Sequence, residues 1–162
     1  MIALNLKIKK NMKKILLLSC LFLALFVSAC DKDKDKNETP QPTEKDKILV
    51  NYPWRMSTVT DLTGKDIPMN QLNTQTQAIK SVMDIQFRQN NTTVAIDQKS
   101  KQVINGGTWY LIEDNKMLDI DISGFKGKFG VEELTNSKMR LKSTMPVNGR
   151  DQETIMVFEP VI

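Results

Sequence analysis

The sequence predicts an all-β domain, a single antiparallel up-and-down barrel of about eight strands, behind an N-terminal targeting segment. Three observations carry this. Between Ile48 and Ile162 apolar and polar residues alternate with period two in run after run, the pattern of antiparallel strands wet on one face. The runs are separated by short clusters of Gly, Asn, Asp, Pro and Ser, residues whose backbone and side-chain chemistry makes turns. Outside residues 67–80 no 3.6-residue periodicity is sustained in that stretch. Consecutive strands joined by short turns favour closure, because a barrel leaves no exposed edge. A β-sandwich is the alternative, since it too places every second residue inside.

Taken in order, a first strand runs from Trp54 to Thr60, and residues 67–80, polar and rich in Gln and Asn, read as a long loop or one short helix. Met83, Ile85 and Phe87 alternate with Asp84, Gln86 and Arg88, and Gln89-Asn90-Asn91 turns the chain into a return strand carrying Val94 and Ile96. Val103, a Gly106-Gly107 break, Trp109 and Leu111 lead to a turn at Glu113-Asp114-Asn115-Lys116. Leu118, Ile120 and Ile122 alternate with Asp119 and Asp121, and a Gly-rich bend is expected from Gly124 to Gly127. Phe129 and Val131 pass through Thr135-Asn136-Ser137 to Met139 and Leu141, and Pro146-Val147-Asn148-Gly149 turns into Ile155-Met156-Val157-Phe158.

The N-terminus reads as an address. Met12-Lys13-Lys14 precedes a thirteen-residue apolar run from Ile15 to Val27, followed by Ser28-Ala29-Cys30. A membrane span needs about 20 apolar residues, so the run suits a secretory h-region instead. Met12 is the expected start codon, since Met1 to Asn11 only lengthens the basic leader. Val27-Ser28-Ala29-Cys30 resembles the lipobox of bacterial lipoproteins, in which the cysteine thiol takes a diacylglyceryl group and cleavage falls before it. The resemblance implies a signal peptide over residues 1–29 and a lipidated Cys30. Cys20 leaves with the leader, so the mature chain keeps one cysteine and can form no intrachain disulfide.

From Asp31 to Lys47 no large apolar side chain occurs, and such a segment cannot offset its conformational entropy by burial. Residues 30–47 are therefore expected to be the lipidated Cys and a disordered tether, the stretch 31–47 reaching roughly 56 Å at about 3.3 Å per residue, with the folded domain over 48–162. Asp31-x-Asp33-x-Asp35 is no calcium loop, because Lys36 stands where that loop needs Gly and Pro42 where it needs Glu. Acidic residues after the cysteine resemble the surface-export signal of Bacteroidetes lipoproteins. This implies an outer-membrane anchor with the domain facing outward, the periplasmic face being the alternative.

Lipobox, polar tether and about 115 residues of hairpins together resemble the lipocalin-like lipoproteins of Bacteroidetes. The residues that carry the likeness are Trp54-Arg55 on the first strand, and Gly107-Thr108-Trp109 followed by an acidic turn and the Leu118/Ile120/Ile122 strand. Tyr52 stands where lipocalins proper carry Gly. The resemblance implies a cavity at one end of the barrel for a small apolar or amphipathic ligand.

Composition removes several chemistries. The chain has no His, which excludes imidazole-activated nucleophiles and His-bearing zinc sites. Its net charge of +4 arises in the leader, where five lysines fall within the first fourteen residues, and residues 48–162 carry thirteen bases and thirteen acids. No nucleic-acid partner is implied. No metal-ligand cluster, cofactor fingerprint or nucleophile elbow occurs, and Gly106-Gly107 is a turn signal only.

The candidate lining of an apolar pocket is Met56, Met83, Ile85, Phe87, Trp109, Leu111, Phe129, Met139, Leu141, Met156 and Phe158, methionine being suited to adaptable apolar surfaces. If the barrel is small, the same side chains fill it. Trp54 and Trp109 are expected to be buried rather than to stack on sugars. Asp119 and Asp121 share one strand face and, as the polar phase of that strand, read as a solvated face rather than as a glycosidase pair. The chain is thus expected to be a non-enzymatic lipoprotein that binds a small apolar ligand, or else a ligand-free module that docks an envelope protein or glycan.

Overall fold

The computed structural model describes residues 42–162. The signal segment, Cys30 and residues 31–41 of the tether lie outside the described residues.

The described chain opens with a helix, α1 (Glu44–Asn51), where a tether was expected to run through Lys47. The reason is local and tertiary at once. Thr43 accepts from the Asp46 backbone N–H while the Asp46 carboxylate accepts from the Thr43 N–H at 2.6 Å, a reciprocal capping box. One turn on, Leu49 is wholly buried, so the helix gains apolar burial that the polar run before it lacks. Pro53 disfavours helical geometry at the residue before it, and Tyr52 is extended.

Eight strands follow: β1 (Trp54–Thr60), β2 (Met83–Phe87), β3 (Thr92–Asp97), β4 (Val103–Ile112), β5 (Met117–Ile122), β6 (Phe125–Leu134), β7 (Met139–Val147) and β8 (Arg150–Pro160). Each pairs antiparallel with its sequence neighbour, and β8 returns to β1 from Trp54↔Pro160 to Thr60↔Ile155. The sheet is one closed barrel, which removes the sandwich alternative. Its narrowest seam is β1–β2, joined only at Trp54↔Ile85 and Arg55↔Asp84.

Three readings of the strands differ from the sequence expectation. Gly106 and Gly107, expected to break the chain, lie inside β4 paired with Val94 and Thr93, because the absent Cβ at Gly107 lets the backbone of Asp121 on β5 approach closely. The expected bend from Gly124 to Gly127 is confined to the turn before Phe125, and Gly127 lies inside β6 opposite Ile120. Gly124 takes the positive φ of 84° that this turn needs. β8 begins at Arg150, well before Ile155, because Asn148 and Gly149, at φ 51° and 74°, make the reversal by themselves and free Pro146 and Val147 to finish β7.

Between β1 and β2 the chain forms a short 3-10 helix (Met69–Gln71) and then α2 (Thr74–Val82). Asn73 caps α2 by accepting from the Thr76 N–H at 2.8 Å. The two helices cover opposite ends of the barrel. At the α1 end, Lys45 Nζ donates to the Asn115 carbonyl in the β4–β5 turn at 3.0 Å, and Trp54 Nε1 donates to the Leu49 carbonyl at 2.9 Å. At the other end, Gln75 Nε2 reaches the Gly124 carbonyl in the β5–β6 turn at 2.7 Å, and Gln98 Nε2 donates to the Lys80 carbonyl at 3.2 Å.

Candidate functional site

The eleven residues expected to line a pocket do fall on one surface, the inner face of the barrel. Met56, Ile85, Phe87, Trp109, Phe129, Met139, Leu141, Met156 and Phe158 are buried in one apolar cluster, with Met83 and Leu111 half-buried against it. Trp54, at 0 % exposure, and Trp109, at 2 %, belong to the same cluster. Phe87 meets Trp109 edge-on with centroids 5.6 Å apart, and Phe125 stacks on Phe129 at 4.9 Å. Trp109 Nε1 donates to the Arg88 carbonyl at 3.0 Å, which satisfies its one polar atom.

The cluster also holds Leu49, Val59, Leu72, Ile79, Phe125, Met145 and Val147, none of which the sequence reading placed there. The signals for some were present. The Thr43-x-x-Asp46 capping box before Ile48-Leu49-Val50 marks α1, and Phe125 was hidden only by reading Gly124 to Gly127 as one bend. Leu72 and Ile79 carry no periodic signal, because they are anchored by the barrel mouth and not by their own sequence context.

Two surface cavities lie outside this interior, and neither is lined by any of the eleven residues. The larger, about 580 Å³, opens at the α2 end between the loop after β1 and the β7–β8 turn. One wall presents Asp61, Lys65, Asp66 and Gln71, the other Asn148, Arg150 and Gln152, with Ile67, Pro68 and Val147 as apolar surface. The walls are tied together. The Asn148 N–H donates to the Gln71 carbonyl at 2.8 Å, Leu72 bridges Val147, and the Ile67 N–H donates to the Val59 carbonyl at 2.8 Å. Asp61 Oδ1 accepts from the Thr63 hydroxyl at 2.6 Å and from the Thr63 and Lys65 N–H groups at 2.8 and 3.0 Å. Those bonds, the Thr63 hydroxyl foremost, hold the Asp61 carboxyl below the ordinary carboxylate range. Asp66 Oδ1 accepts from the Thr58 hydroxyl at 3.1 Å. The smaller cavity, about 280 Å³, lies where Arg55 and Ser57 meet Glu159, Pro160, Val161 and Ile162.

One buried charge was not foreseen. Asp84, with its side chain 3 % exposed, takes two bonds from Arg55, at 2.7 and 2.8 Å, and lies 3.5 Å from Lys101 Nζ. The hydrogen bond to Asp84 raises the Arg55 guanidinium above its ordinary value. The pair rivets the β1–β2 seam on the outer face of the barrel, directly at one of its two residue pairings. Asp119 and Asp121 stand on the outer face of β5, across from Lys128 and Lys126 on β6. Asp121 is held by Lys126 at 2.7 Å, and that bond raises the Lys126 ammonium above its ordinary value.

Eight antiparallel strands in sequence order, closed on themselves, form the up-and-down architecture that lipocalins share. No family model matches the chain, and no curated protein matches it. Among solved structures it is similar to a lipocalin-like protein from Bacteroides uniformis, with 16% identity and a TM-score of 0.46 over 70% of this chain and 99% of that one.

Proposed function

We propose that the chain is an outer-membrane lipoprotein, anchored through Cys30, whose barrel is a non-catalytic binding module that meets its partner at the α2 rim. One observation carries the reading: the barrel interior is filled with bulky side chains and covered by a helix at each end, while the larger cavity opens at the rim. Four aromatic rings, Trp54, Trp109, Phe87 and Phe158, stand inside with exposures of at most 2 %. The described chain enters the barrel at the α1 end, and the rim cavity lies at the opposite end. The anchor is supported by Val27-Ser28-Ala29-Cys30 after an apolar run too short to span a bilayer. The non-catalytic reading is supported by Asp121, whose carboxylate is engaged by Lys126 on an outer face rather than set in a cleft.

A second reading, a carrier for an apolar ligand, is favoured by the way α2 is held. Only Thr76 and Ile79 of α2 are buried, and Thr76 Oγ1 meets Met145 Sδ at 3.8 Å. Displacing so lightly seated a helix would open an interior rich in methionine and phenylalanine.

Native mass spectrometry of the full chain after incubation with an envelope lipid extract separates the two. The module reading expects apoprotein alone. A retained lipid of discrete mass, lost on Phe87→Ala, would replace it with the carrier reading. Fractionation of cells bearing Cys30→Ala tests the anchor, which expects the variant to leave the membrane fraction.

A further inference from the structure

We propose that the rim cavity is a binding site for a neutral, hydroxyl-rich ligand, a short glycan segment; this rests on the module reading and names the ligand class of that same rim. The cavity's charges cancel, since Asp61 and Asp66 stand against Lys65 and Arg150. A strongly anionic or cationic ligand would meet its own sign as often as its opposite. An apolar one would strip water from four charged groups without replacing the hydrogen bonds. A sugar hydroxyl both donates and accepts, and it finds both kinds of partner here. The carboxylates accept, Lys65 and Arg150 donate, and the Gln71 and Gln152 carboxamides do each.

The acceptors are also restrained in advance. Asp61 Oδ1 is committed to three bonds within its own loop and Asp66 Oδ1 to the Thr58 hydroxyl. These bonds restrict both carboxylates before a ligand arrives, which lowers the ordering cost of binding. Ile67, Pro68 and Val147 supply an apolar wall for the C–H face of a ring. The volume of about 580 Å³ falls within the range of ligand cavities. Because the Asn148–Gln71 bond and the Leu72–Val147 bridge join the two walls, the site is part of the barrel rim rather than a free loop.

The test is a titration of the isotope-labelled full chain, followed by amide NMR, with maltotriose and N,N′,N″-triacetylchitotriose as neutral probes and trigalacturonate as the anionic one. The expected result is saturable shifts confined to residues 61–71 and 147–152 with a neutral trisaccharide. In Arg150→Ala and Gln152→Ala the dissociation constant should rise at least about tenfold. Both side chains are exposed, so thermal stability should stay at the parent value and folding cannot confound the result. No saturable shift with either neutral sugar at millimolar concentration overturns the proposal. Binding of trigalacturonate alone, lost on Lys65→Ala, overturns the neutral class and makes the rim an anion site. The module reading fails on a different result, the discrete lipid adduct, so the two failures are told apart.

Discussion

Leu49→Ala tests whether α1 is part of the fold or the end of a tether. Leu49 is 0 % exposed in the same apolar cluster as Trp54, whose indole N–H donates to the Leu49 carbonyl. The substitution removes three buried carbons, about 2.4 kcal/mol of transfer free energy at ~0.8 kcal/mol per methylene. The hydrogen-bonded barrel end cannot collapse far into the space left, and an unfilled void of about 60 Å³ adds about 1.4 kcal/mol at ~24 cal/mol per Å³. The expected loss is therefore about 4 kcal/mol. Urea unfolding followed by tryptophan fluorescence reads it directly, because Trp54 is the reporter that α1 covers. Thr43→Ala serves as the graded control: it removes only the exposed capping box, at a cost of about 1 kcal/mol. A loss below about 1 kcal/mol for Leu49→Ala, with cleavage by protease in residues 44–51 of the native protein, would refute the reasoning and restore a tether that runs to Lys47.

Other expectations follow from the same geometry. Arg55→Ala should destabilise by about 2–4 kcal/mol, since it leaves Asp84 buried with only Lys101 at 3.5 Å, whereas Asp84→Leu should cost about 1 kcal/mol because Arg55, 40 % exposed, can return to water. Thermal melts that give the two the same loss would contradict the assignment. Gly107→Ala should abolish folding, as a Cβ there would overlap the Asp121 carbonyl of the paired strand, while Gly106→Ala, whose Cβ would sit 3.6 Å from the Thr93 carbonyl oxygen, should be tolerated. Circular dichroism of the two variants checks the contrast. Asp61 and Asp97 have folded-state pKa values below their ordinary range, the first through Thr63 and the second through the Ser100 N–H. Their contribution is therefore present above the ordinary Asp value of about 4 and is lost as pH falls through the lowered value. Protection of the Thr63, Lys65 and Ser100 amides against exchange, taken relative to their intrinsic rates, should fall in that acid window, and Asp61→Asn should remove the change at Thr63 and Lys65 alone.

Much of the barrel was legible because its strands obey one rule at short range. Met83, Ile85 and Phe87, or Leu118, Ile120 and Ile122, alternate with polar or charged neighbours, and that phase is set by the pleat whatever the partner strand. The observed strands place all six of these residues on or against the inner core. Asp84 shows the limit of the rule, for it occupies the polar phase of β2 and is nevertheless buried, because Arg55 and Lys101 close over it from elsewhere in the chain. Phe125 shows a second limit: a glycine pair read as one bend concealed a strand start, since whether Gly127 turns or pairs depends on Ile120 across the ladder.

The rim cavity had no sequence signature at all. Asp61, Lys65 and Asp66 lie more than eighty residues from Asn148, Arg150 and Gln152, and only barrel closure brings the loop after β1 beside the β7–β8 turn. The sequence alone determined the alternation within the strands, most of the turns and part of the apolar inventory of the interior, because these are read within a few residues. Only the tertiary structure decided that the interior is filled, that helices cover both ends and that the cavity lies on the rim. Those outcomes depend on volumes and contacts between segments distant along the chain, which no local pattern encodes.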